Sequence, residues 1–120
     1  MLLIKRRKQN GNTSKKKNEL LDHVKHIVST IESGEYETDN EDGPSGHDYL
    51  TDALDIQYII SSDKKYLGAR VLVAFGGPNI WINTQKQMVE GYWWSASEFV
   101  YYHDDQLYLD ERLEEIYNCS

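Results

Sequence analysis

Residues 66–94, YLGARVLVAFGGPNIWINTQKQMVEGYWW, hold the densest run of strand-forming residues in the chain and point it toward an antiparallel sheet. Residues 70–75 (RVLVAF) form an apolar run between Gly68 and the turn signal Gly76-Gly77-Pro78-Asn79, the pattern of a buried strand. Pro78 has no N–H to give to a ladder, so it belongs in the connection between two strands. Residues 79–84 alternate, with Ile80 and Ile82 facing one way and Trp81 the other. A polar break at 84–87 precedes a third strand over 88–94, in which Gly91 marks a bulge or a close backbone approach. Upstream, residues 55–60 (DIQYII) add a strand through the polar turn 61–65. Downstream, Ser95-Ala96-Ser97 breaks the pattern before a fifth strand at 98–103.

Helical periodicity flanks this sheet. Leu20, Leu21, Val24, Ile27, Val28 and Ile31 fall on one face of a helix over 18–33, with Gly34 as its stop. Residues 47–54 predict a short helix capped by Ser45, with Tyr49, Leu50, Ala53 and Leu54 inward. Residues 107–118 predict a closing helix whose stripe is Leu109, Leu113, Ile116 and Tyr117. The fold class expected is α+β: an antiparallel four- to five-stranded sheet packed by an N-terminal and a C-terminal helix. It forms a single acidic domain over 18–120, behind a disordered basic arm over 1–17.

Charge is the most informative part of the composition. Residues 1–17 carry seven basic and no acidic side chains, whereas the other 103 residues carry six of the thirteen basic and all twenty acidic ones, a net charge of −14. A body this negative favours cationic partners, such as a basic nucleic-acid-binding protein or ribonucleoprotein, over nucleic acid itself. The basic arm can touch nucleic acid or bind back on the body. Three acidic patches stand out: Asp39, Glu41 and Asp42 in the loop 35–46; Asp104 and Asp105 in a turn; and Asp110, Glu111, Glu114 and Glu115 on the last helix. The loop is expected to be a mobile segment, and it lacks the ligand spacing of a calcium loop. The lone Cys119 gives no disulfide framework, and the apolar start 1–4 is too short for a signal core or a membrane span. A cytoplasmic protein with no membrane partner is expected.

Catalytic chemistry finds little support. There is no Gly-x-Ser-x-Gly elbow, and Gly76-Gly77 runs into Pro78 where a phosphate loop would continue into a helix. His23 and His26, three apart, lack a thiol or carboxylate at ligand spacing. His103, Asp104 and Asp105 are the best acid/base or metal candidates, but three adjacent residues point in different directions. No enzyme, cofactor or metal is therefore expected. Trp93 and Trp94 are adjacent, so a regular strand turns them to opposite faces, leaving one as an exposed interface anchor.

The words DALDIQYIISSDKKYLGARVLVAFGGPNIW and VEGYWW, within residues 49–94, resemble small acidic proteins of phages and conjugative elements in Gram-positive bacteria. Some such proteins inhibit type II CRISPR nucleases and others inhibit restriction enzymes. The resemblance implies a class and no site. It implies an inhibitor acting in the bacterial host cell by occupying the cationic nucleic-acid-binding surface of a Cas9-type nuclease. The alternatives are a DNA-mimic inhibitor of restriction enzymes or a regulatory adaptor for another basic protein. A third is a small metal-dependent enzyme using His103, Asp104 and Asp105.

Overall fold

The apolar stripe on the first helix meets the apolar face of the sheet, and this contact organises the fold. The computed structural model describes residues 2–119, with side chains from residue 15 onward. Helix α1 spans Leu2–Ser33 and buries Leu20, Val24, Ile27, Val28 and Ile31, while Leu21 is half-buried. It ends where the Gly34 N–H donates to the Thr30 carbonyl at 2.8 Å, with Gly34 at φ +72°. The helix begins at Leu2, so the backbone of the segment expected as a disordered arm continues α1. Lys, Arg and Gln are good helix formers, and Gly11 is a single interruption that a helix tolerates. The side chains of residues 1–14 lie outside the described set.

Five strands follow as an antiparallel meander in chain order: β1 (Asp55–Ile60), β2 (Tyr66–Ala74), β3 (Asn79–Asn83), β4 (Met88–Trp93) and β5 (Ala96–Tyr101). The register carries one face across the sheet, pairing Ile56 with Val71, Val71 with Ile82, Ile82 with Val89 and Val89 with Val100. Helix α1 lies over β4 and β5. Helix α3 (Leu109–Asn118) lies over β2 and buries Leu109 and Leu113. Helix α2 (Gly46–Thr51) packs against α3.

Three local expectations change. Phe75 was expected in a buried strand but lies beyond β2 and is 73% exposed. The ladder slips between Leu72 and Ala74, so β2 ends before it. β5 begins at Ala96, because Trp94 takes φ +56° and lets Trp93 pair with Ala96 across a two-residue turn. Leu54 lies past α2 and is 61% exposed; its N–H donates to the Leu72 carbonyl at 2.9 Å, extending the β1–β2 ladder.

Gly91 is a close approach and not a bulge, since its pairs with Ile80 and Glu98 stay in register. A Cβ there would lie 2.5 Å from Val24 Cγ2 and 2.9 Å from Leu20 Cδ1. Gly91→Ala should therefore push α1 off the sheet and cost about 1–3 kcal/mol. Urea unfolding would measure this against Gly77→Ala, whose Cβ would meet nothing within 4 Å.

Candidate partner-binding site

The loop between α1 and α2, expected from its composition to be mobile, is tied to α2 by side-chain hydrogen bonds that converge on Asp48. Ser45 caps α2 by accepting the Asp48 N–H at 3.1 Å, as its position before a helical run predicts. The Asp48 carboxylate accepts hydrogen bonds from the Thr38 hydroxyl at 2.6 Å and from the Tyr36 hydroxyl. The single Tyr36 hydroxyl proton goes to Asp48, with the Ser45 carbonyl oxygen 3.0 Å from the same hydroxyl, and the Tyr36 ring meets Tyr49 edge-on at 5.2 Å. Thr38 Oγ1 accepts from the Asn40 N–H, and Asn40 Oδ1 accepts from the Asp42 N–H, closing the chain into a turn. The hydroxyls of Thr38 and then Tyr36 hold the Asp48 carboxyl below the usual carboxylate range. Desolvation, reinforced by the bond to Asp48, pushes Tyr36 up to about 12.

Loop and helix enclose a groove of about 930 Å³. Glu37, Asp39, Asp48 and Asp52 give it four carboxylates; Tyr36 and Tyr49 give it aromatic walls, and among the described residues no Lys or Arg lines it. Carboxylates beside aromatic faces suit a cationic side chain, through ion pairing and attraction to the ring quadrupole.

Of the predicted contact residues, Asp39 lines this groove. Glu41 and Asp42 are exposed in the turn beyond it. Asp105 turns toward α3, where its Oδ2 accepts the Asp110 N–H at 3.2 Å, and Asp110 in turn accepts from the Tyr66 hydroxyl at 2.7 Å. These two carboxylates are committed to the fold. Asp104, Glu111 and Glu114 are exposed; Glu115 is exposed too and contacts Arg112 at 3.3 Å and His47 at 3.8 Å. Trp93 is half-buried and packs on the core, whereas Trp94 is 82% exposed. The exposed His103 donates its backbone N–H to Glu32 at 2.9 Å. Among the described residues no group of three or more His, Cys, Asp or Glu is placed to hold a metal ion, so His103, Asp104 and Asp105 do not converge into one. No helix among the described residues is long and apolar enough to cross a membrane.

Sequence reasoning missed Glu37, Asp48 and Asp52. The available signal was the pairing of Ser45 with Asp48 three residues on, a capping pattern that anchors whatever else Asp48 binds.

A second polar cluster sits on the sheet face away from the helices. Among the described residues Glu90 is the one charged side chain in the buried set. It accepts from Arg70 at 3.1 Å, Asn83 at 3.0 Å and Tyr92 at 2.8 Å. Arg70 also stacks over Trp81, 4.3 Å from the ring centroid. Burial alone would raise the Glu90 pKa, but the donors Asn83, Tyr92 and Arg70 together hold it below its usual value.

Comparison with protein-family models, curated proteins and solved structures finds no match for this chain.

Two outcomes test these assignments. Removing both hydroxyls with Tyr36→Phe and Thr38→Val should raise the Asp48 pKa toward the ordinary range, read by carboxyl-carbon NMR titration. A depressed folded-state pKa means that the stability linked to Asp48 is present above the unfolded value and is lost as pH falls through the folded one. Arg70→Ala should cost about 3 kcal/mol near neutral pH, because it strips a cation from a buried carboxylate. The gap to the parent protein should narrow in acid, where Glu90 takes up a proton, and denaturant melts across pH would show it.

Proposed function

We propose that the protein is a stoichiometric binder of a basic nucleic-acid-binding protein, engaging it through the acidic groove. The groove carries the reading: four carboxylates and two tyrosines around one concave space, with no cation among the described residues lining it. Arginine or lysine side chains that normally hold phosphate have the charge and shape to enter it. The exposed Asp104, Glu111 and Glu114 extend the negative surface, steering encounter more than fixing the bound pose.

The partner we favour is a type II CRISPR effector, a Cas9-type nuclease loaded with guide RNA. Two things support it: the resemblance of residues 49–94 to small acidic proteins of phages and conjugative elements, and the positively charged channels of such nucleases. Binding there blocks target DNA by steric and electrostatic competition and needs no chemistry on either molecule.

Titration into the guide-loaded nuclease, with target cleavage as readout, tests the reading. Inhibition should saturate near one-to-one and weaken as salt is raised. The triple variant Glu37→Gln, Asp39→Asn, Asp52→Asn should weaken it about tenfold or more; Asp48 is left intact because the loop depends on it. Inhibition far below one-to-one would mean an enzyme instead. Absence of inhibition at every ratio would move the reading to a restriction-enzyme inhibitor or an adaptor for another basic protein.

A further inference from the structure

The most exposed aromatic side chains lie together at one end of the sheet, where the basic part of α1 begins its run over the strands. Trp94 is 82% exposed and Phe75 is 73% exposed. Pairing of Ala74 with Ile80, Asn79 with Tyr92 and Trp93 with Ala96 puts the β2–β3 and β4–β5 connections side by side. Two strand spacings separate such connections, about 10 Å. Lys16 Nζ lies 4.6 Å from the Trp94 ring centroid, and Lys17 Nζ lies 3.8 Å from Glu98. Lys15 is exposed beside them, and Lys5, Arg6, Arg7 and Lys8 precede them in the same helix.

Trp94 also holds φ +56°, a conformation that costs a bulky residue free energy and that glycine adopts freely. A large indole kept there, strained and in solvent, is unexplained by packing.

We propose that this end of the molecule binds single-stranded nucleic acid. Trp94 and Phe75 stack bases, and Lys15, Lys16 and Lys17 of α1 neutralise phosphates. The inference is independent of the groove reading. The net charge of the body argued against such a ligand, but the fold segregates charge, and screening over about 8–10 Å limits the reach of distant carboxylates. An anionic membrane is the poorer fit, because between the short apolar start 1–4 and Leu20 the helix has fifteen residues with no Val, Ile, Leu, Met or aromatic side chain, so it offers a bilayer no continuous apolar face.

The test is anisotropy of a labelled single-stranded oligothymidylate titrated with the full chain, beside phosphatidylserine-containing vesicles. Binding should appear at about 50 mM salt, and the log of affinity should fall linearly with the log of salt. Trp94→Gly should weaken it about 5- to 100-fold, the loss of one stacked base, while Trp94→Tyr keeps most of it. Glycine relaxes the backbone, so the melting temperature of Trp94→Gly should hold or rise, separating lost binding from lost folding. Lys15→Glu, Lys16→Glu and Lys17→Glu together should flatten the salt slope. The triple groove variant should bind the oligonucleotide normally, so failure of either reading is visible by itself. No oligonucleotide binding, unchanged affinity in Trp94→Gly, or capture by vesicles alone would each overturn the proposal.

Discussion

The seating of α1 on β4 is the contact on which the rest of the molecule depends. Leu20 and Val24 occupy the space that a side chain at position 91 would need. The helix therefore sits close to the sheet and runs along β5, with Lys17 beside Glu98 and Glu32 beside His103. Its last turns then receive the connection into α3, through the Gln106 N–H on the Ile31 carbonyl at 2.9 Å. That connection in turn abuts α2, where a Cβ on Gly46 would lie 2.1 Å from the Leu107 carbonyl oxygen. One close helix–sheet contact thus passes its geometry to the loop that forms the groove.

The same arrangement sorts the charges. Some carboxylates serve the fold: Glu90 is enclosed by three donors, Asp48 ties the loop to α2, and Asp105 accepts the Asp110 N–H in the first turn of α3. Glu37, Asp39 and Asp52 form no ion pair among the described residues and share the groove. Lys16 and Lys17 of α1 are carried instead beside the β4–β5 hairpin, over Trp94 and against Glu98. A chain whose average charge is acidic therefore presents two surfaces of opposite character, and a net figure hides both.

Much of the architecture was legible because it rests on local periodicity. The α1 stripe from Leu20 to Ile31, the strands at 55–60, 79–83 and 88–93, and the Ser45 cap each follow from neighbours a few residues apart. Legibility failed where a ladder partner decided the outcome. Phe75 belongs to an apolar run, yet a slip in pairing with β3 leaves it in solvent. Ser95-Ala96-Ser97 reads as a break, yet pairing of Trp93 with Ala96 draws two of those residues into β5.

The candidate sites divide along the same line. The sequence by itself determined the sheet, the flanking helices and the separation of a basic start from an acidic body, because hydrophobic spacing and charge order are properties of the chain. Only the tertiary structure decided which carboxylates remain free, since burial and donors arriving from distant strands claim Glu90, Asp105 and Asp110. It alone placed Lys16 over Trp94, a contact across 78 positions that exists because α1 lies along β5. Charge and aromaticity are written residue by residue, but a surface is made by long-range packing, and no local spacing encodes that.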